Sequence, residues 1–275
     1  MKSLSILSIC CLLLLSNLAM AECMNILEEV NVQDVCTKIK TFQSESITDK
    51  PIMLVALHGD SPFNNPSYQY RFARQVAEKS ENIISIGMLR LGYTDHLDRT
   101  SDGERGKTVG DNYDKIRIQQ LAEAILELKL HHNASKVILA GHSGGAAITA
   151  KLIALYPKLV NHAFVVSCPC NINSWRADMY KKSQYDGFKG DLDISSPTDL
   201  VSRISDETKI NIFVGDKDDV AKPYLSQEYE KVLKSANKQV QITEIQGNHE
   251  LFLNKRIIET LVDVVGGYNK QINKD

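Results

Sequence analysis

The sequence predicts a doubly wound α/β fold, a mainly parallel sheet with helices on both faces. Three observations carry this expectation. Short apolar runs of strand length recur along the chain. Stretches with apolar residues at helical spacing separate them. Neither an internal repeat nor a low-complexity linker interrupts the alternation. Repeated βα units imply a parallel sheet covered on both sides.

Pro51 leads into a first buried strand, Ile52 to Leu57. Ser67 to Lys79 reads as a helix with Tyr70, Ala73, Val76 and Ala77 on one face. Ile83 to Leu89 is a second strand, followed by a polar loop holding Gly92, Gly103, Gly106 and Gly110. Tyr113 to His131 is a helix, with Ile118, Leu121, Ala122, Ile125 and Leu128 at helical spacing. Val137 to Ala140 is a third strand, and Gly145 to Tyr156 a helix stopped by Pro157. Ala163 to Ser167 is a fourth strand. Residues 171 to 205 are polar and break the pattern. They read as a small cap over the C-terminal edge of the sheet, where such sheets bind ligands. Strand Ile210 to Val214, helix Tyr224 to Ser235, strand Val240 to Ile245 and a helix from about Leu251 to Val265 complete the order.

The chain has 275 residues, long enough for one large domain with its own core. Its 32 Lys and Arg nearly balance 34 Asp and Glu, and no basic tract clusters. That balance argues against nucleic acid or an anionic membrane surface as partner. The N-terminus differs in kind. Lys2, the apolar run Ile6 to Leu15 and then Ala19-Met20-Ala21 form the pattern of a signal peptide. Residues 1–21 are therefore expected to be cleaved, leaving 22–275 as one domain. The run is short for a membrane anchor. The mature protein is expected outside the cytoplasm, periplasmic or extracellular, without a membrane segment.

Cys10 and Cys11 would leave with the signal. Cys23, Cys36, Cys168 and Cys170 would remain in an oxidising compartment. Three pairings are open. A Cys23–Cys36 bridge would staple the mature N-terminus, leaving Cys168-Pro169-Cys170 to close a tight ring or to serve as a redox pair.

Gly141-His142-Ser143-Gly144-Gly145 matches G-x-S-x-G between a strand and a helix. A sharp strand-to-helix turn exposes a serine at the positive end of a helix, and small neighbours let strand and helix approach. Ser143 is the candidate nucleophile, with the Gly144 N–H directed at a developing oxyanion. A serine needs a base and an orienting carboxylate, in the chain order Ser, acid, His. Only His162 and His249 follow Ser143. His162 opens a strand and reads as a helix-end or surface histidine; His249, in Gln246-Gly247-Asn248-His249, lies in a loop after the last strand and is the candidate base. Gly215-Asp216-Lys217-Asp218-Asp219 supplies three carboxylates after a strand, and spacing does not choose among them. The second oxyanion N–H is expected from Gly59 or Asp60, after the first strand; His58 reads as structural. No metal ligand set or cofactor motif is recognised, and His131-His132 read as complements to a helix dipole.

From about residue 50 onward the chain resembles the α/β-hydrolase superfamily, through His58-Gly59, Gly141-His142-Ser143-Gly144-Gly145, Gly215-Asp216-Lys217-Asp218 and Gly247-Asn248-His249. The resemblance implies a Ser-His-Asp triad with Asp218 as the acid. Ser196-Pro197 with Asp199-Leu200-Val201 is similar to a segment of prolyl-oligopeptidase-like peptidases, and Arg90-Leu91-Gly92-Tyr93 to the R-P-G-Y block of small hydrolases. In the cap, Trp175 and Arg176 are candidate substrate-binding residues, Arg176 by bidentate pairing with a carboxylate. The alternative is that the cap's aromatic residues form its own small core. The expected activity is hydrolysis of a small-molecule ester or thioester. The alternatives are a serine peptidase with the same machinery and a non-catalytic binding protein on a hydrolase fold.

Overall fold

The computed structural model describes Cys23, residues 25–61 and residues 64–272. The segment read as a signal peptide lies outside these residues. Among the described residues eight strands form one sheet: β1 (Glu29–Val32), β2 (Val35–Gln43), β3 (Ile52–Leu57), β4 (Ile83–Met88), β5 (Lys136–His142), β6 (His162–Val166), β7 (Lys209–Gly215) and β8 (Gln239–Ile245). The spatial order is β1-β2-β4-β3-β5-β6-β7-β8. From β4 to β8 every pairing is parallel, while β1 and β2 add an antiparallel edge.

Alternation along the central strands feeds two cores. Met53, Val55, Leu57, Val137 and Leu139 face one side; Ile52, Leu54, Ala56, Ile138 and Ala140 face the other. Helices α2 (Lys115–His131), α3 (Gly144–Leu155) and α5 (Pro223–Ser235) pack on the first face. Helices α1 (Tyr68–Lys79) and α6 (Lys255–Ile272) pack on the second. The doubly wound arrangement expected from the alternation is therefore present.

The departures from the pattern reading that matter most are at α2, at α6 and in the N-terminal hairpin. Helix α2 starts at Lys115 because Asp114 caps it, accepting from the N–H groups of Ile116 and Arg117. Helix α6 starts at Lys255 and runs to Ile272. Leu251 and Phe252 mimic a first helical turn, but they are buried loop residues, and Phe252 stacks on Phe72 at 4.2 Å. The hairpin β1–β2 carries no Gly or Asn turn signal. Its two-residue turn uses Gln33 and Asp34 at φ 50° and 62°, the conformation a tight hairpin requires.

Between β6 and β7 the chain forms α4 (Ile172–Ser183) and 3₁₀ turns at Asp186–Phe188 and Pro197–Arg203. The second turn does not belong to the cap. Its Leu200 and Val201, with Ile204, join the core beneath α3. Disulfides join Cys23 to Cys36 and Cys168 to Cys170. Cys168 and Cys170 are fully buried, so thiol exchange partners have no access to them and a redox role finds no support. Among the described residues no helix is long and apolar enough to cross a membrane.

Candidate active site

Ser143 occupies the turn between β5 and α3, at φ 54° and ψ −121°. A non-glycine residue at positive φ is strained, and such strain is held only where packing over-determines it. Glycines make that packing possible. A Cβ on Gly141 would lie 2.1 Å from the Gly145 carbonyl oxygen, and one on Gly145 would lie 2.5 Å from that of His58. Strand, turn and helix touch backbone to backbone. Gly144 then heads α3, where its N–H has no intrahelical acceptor.

His249 follows β8, and Asp218 follows β7. The His249 Nδ1 lies 3.0 and 2.9 Å from Asp218 Oδ1 and Oδ2, with both residues buried. Asp218 Oδ1 also accepts from the N–H groups of Val220 and Ala221 at 3.0 and 2.9 Å. A carboxylate so placed accepts, so Nδ1 carries the ring proton and Nε2 keeps its lone pair. The neighbouring acids have other partners. Asp216 accepts from the Gly247 N–H at 2.8 Å, and exposed Asp219 pairs with Lys182 at 2.6 Å. The resting structure holds no hydrogen bond between Ser143 Oγ and His249, although both face one cavity; such contacts often tighten only when substrate binds.

Gly59 and Asp60 follow β3. The Gly59 N–H is already engaged: it donates to Tyr68 Oη at 2.5 Å. Gly59 serves by its lack of a side chain, since a Cβ there would lie 2.9 Å from the Ser143 Cβ. The Asp60 N–H has no acceptor among the described residues. Tyr68 Oη also meets His142 Nδ1 at 2.9 Å, and His142 Nε2 meets the His249 carbonyl at 2.9 Å. A carbonyl only accepts, so Nε2 is the protonated nitrogen and Nδ1 accepts from Tyr68. One relay thus ties the 58–60 loop, the elbow and the His249 loop.

Burial, with the charge of His249 second, pushes the His142 pKa down to about 3. Burial likewise lowers His162, whose ring meets Asn211 at 2.6 Å, to about 4; it is a core residue rather than a surface one. Both histidines fold neutral, whereas the unfolded chain protonates them below about pH 6.5. Their contribution to stability is complete above that pH and is lost as the pH falls toward 3–4. The melting temperature is expected to drop between pH 6.5 and 4.5, each histidine costing up to about 1.4 kcal/mol per pH unit. His142→Gln should flatten the slope; an unchanged slope in that variant would contradict the assignment.

Ser143, His249, Asp60 and Tyr68 line a cavity of about 470 Å³. Val109, Trp175, Met179, Phe188 and Val220 form its apolar wall, and Ser61, Asn64, Asn65 and Ser67 a polar one. No family model matches the sequence. A presumed esterase/lipase of Haemophilus influenzae is 30% identical over 82 residues, which is 30% of this chain and 29% of that protein. The backbone is similar to an esterase of Pyrococcus furiosus, at 18% identity and a TM-score of 0.63 over 88% of this chain and 89% of the other. It is similar to Est1E of Butyrivibrio proteoclasticus, solved with ferulic acid, at 14% identity and 0.62 over 90% and 99%. Proline iminopeptidase of Mycobacterium smegmatis follows at 11% identity and 0.66 over 89% and 99%. The chain has the α/β-hydrolase fold.

Beside the engaged Gly59 N–H, a second site expectation fails within this fold. Arg176 is 2% exposed and its guanidinium is spent on backbone. It donates to the carbonyls of Val109, Gly187, Gly190 and Lys189. It ties the cap's loops together and offers nothing to a substrate carboxylate. A lone arginine in a polar insertion carries no signal that distinguishes these roles; only the carbonyls converging on it decide. Trp175 does reach the cavity, and it also packs edge-on to Phe188 at 5.5 Å, so wall and cap core are one surface. Pattern reading missed Tyr68, whose apolar helix face conceals its hydroxyl's reach.

Proposed function

We propose that this α/β-hydrolase-fold chain is an exported serine hydrolase that cleaves an ester or thioester of small-molecule size. The carrying observation is the buried Asp218–His249 pair, whose histidine lines the cavity in which strained Ser143 sits. Ser143 Oγ attacks the acyl carbon while His249 Nε2 takes its proton. Asp218 holds the Nδ1 proton in place and stabilises the imidazolium. The N–H groups of Gly144 and Asp60 receive the negative charge that develops on the carbonyl oxygen. Collapse expels the alcohol or thiol, protonated by His249, and leaves an acyl-Ser143 ester. Water, deprotonated by His249, then releases the acid and restores the serine.

A cavity of about 470 Å³ is the size of a small-molecule site. The apolar wall suits the acyl or aromatic part, and the polar wall the leaving group. A serine peptidase is the second reading, favoured by the likeness to proline iminopeptidase. The signal-like N-terminus and two disulfides support export to the periplasm or the extracellular space.

Fluorophosphonate labelling of the mature protein tests the reading. Wild type should take one label, and Ser143→Ala and His249→Ala none. A folded wild type that takes no label would reject the enzyme reading in favour of a binding protein. Matched nitrophenyl esters and nitroanilides then separate esterase from peptidase.

A further inference from the structure

Asp60 brings a carboxylate to the N–H groups assigned to the oxyanion. A Cβ on Gly144 would lie 2.5 Å from Asp60 Oδ1, so the carboxylate borders Gly144 at its Cα. Uncompensated, a negative charge there opposes the charge that develops on the substrate.

The fold surrounds this carboxylate with a buried counter-charge. Arg90 NH1 donates to Asp60 Oδ1 at 2.8 Å, with the two side chains 3% and 15% exposed. Tyr93 Oη donates to Oδ1 at 3.4 Å, and Tyr113 Oη donates to Oδ2. Arg90 does more than neutralise. NH1 also reaches the His58 carbonyl at 3.3 Å, and NH2 reaches Asn112 Oδ1 at 2.8 Å. Its own backbone N–H donates to His58 Nε2 at 3.0 Å. Burial, reinforced by the Arg90 charge, holds His58 well below its usual pKa, as an accepting nitrogen requires. The guanidinium lies between the rings of Tyr93 and Tyr113, at 4.9 and 5.5 Å. Arg90 therefore grips both residues that flank Gly59. Buried ion pairs contribute little net stability compared with apolar packing, so the position of this one beside the reacting atoms is informative.

We propose that Arg90 is a positioning residue for acyl transfer: it neutralises the Asp60 carboxylate and fixes the 58–60 loop with the Asp60 N–H facing the oxyanion. The proposal rests on the serine-hydrolase reading. Arg90→Gln should lower kcat about 10²-fold while KM changes less than about threefold. Adding Asp60→Asn to that variant removes the uncompensated charge and should restore kcat at least about tenfold. A clamp without an electrostatic role predicts a double variant no faster than Arg90→Gln. Either that result or an Arg90→Gln within about threefold of wild-type kcat overturns the proposal.

Should Arg90→Gln fail to fold, the isosteric Asp60→Asn carries the test. With Arg90 no longer neutralised, the anionic adduct of benzeneboronic acid should bind about fivefold tighter than to wild type. Equal or weaker binding overturns the proposal. A wild type that takes neither boronate nor fluorophosphonate rejects the hydrolase reading and this role with it. A labelled wild type beside unaffected variants rejects the role of Arg90 alone.

Discussion

Asp218→Asn is expected to lower kcat about 10⁴-fold with the fold intact. The carboxylate has two sets of partners. The N–H groups of Val220 and Ala221 require an acceptor at Oδ1. An asparagine would keep its carbonyl oxygen there and turn its NH₂ toward His249 Nδ1. That nitrogen would then have to accept, which moves the ring proton to Nε2. The imidazole would face Ser143 with a proton already in place and could not act as base. Two neighbours serve as controls. Asp216→Asn and Asp219→Asn touch only the Gly247 N–H and Lys182, and neither meets His249. Steady-state kinetics on a neutral nitrophenyl ester would check all three. A loss below about tenfold in Asp218→Asn would mean that the tautomer of His249 does not limit the reaction.

Gly141→Ala is expected to cost about 3 kcal/mol or more, or to abolish soluble expression. The added Cβ would lie 2.1 Å from the Gly145 carbonyl oxygen, and no flexible side chain stands between to yield. Relief would require separating β5 from α3, and this junction holds the strained Ser143 backbone. Activity should fall with stability. Gly266→Ala gives the contrast. It lies in α6, and a Cβ there meets nothing within 4 Å. Removing a helical glycine should stabilise by about 1 kcal/mol. Urea unfolding of the two variants measures both values. A Gly141→Ala protein as stable as wild type would show that the elbow can open without loss.

Much of the architecture was legible in the sequence because its signals are local. Strand-length apolar runs and helical spacing reflect burial on two faces, and a short window holds each of them. The glycine pattern around Ser143 is legible as a motif of five residues, although only Gly141 relieves crowding within it; Gly145 makes room for the remote His58 carbonyl. The β1–β2 hairpin was not legible. Its turn residues, Gln33 and Asp34, adopt positive φ without the residue types that announce it. The start of α6 was misplaced because Leu251 and Phe252 are buried for reasons unconnected with helical period.

The site divides along the same line. By itself the sequence determined the alternating fold, the serine at a strand-to-helix turn and the loops that bring a histidine and an acid to the same sheet edge. Spacing left three carboxylates open and the family resemblance pointed to Asp218; the tertiary structure joins Asp218 to His249, and it alone shows that Asp60 rather than Gly59 has an N–H without an acceptor among the described residues. It alone turned Arg176 onto backbone carbonyls and placed Arg90 beneath the 58–60 loop. The physical reason is one of range. Period and turn chemistry act between residues close in sequence. Hydrogen bonds choose partners by distance and direction in space, and here they join residues 30 to 32 apart, as in Arg90 with His58 and Asp60, and Asp218 with His249.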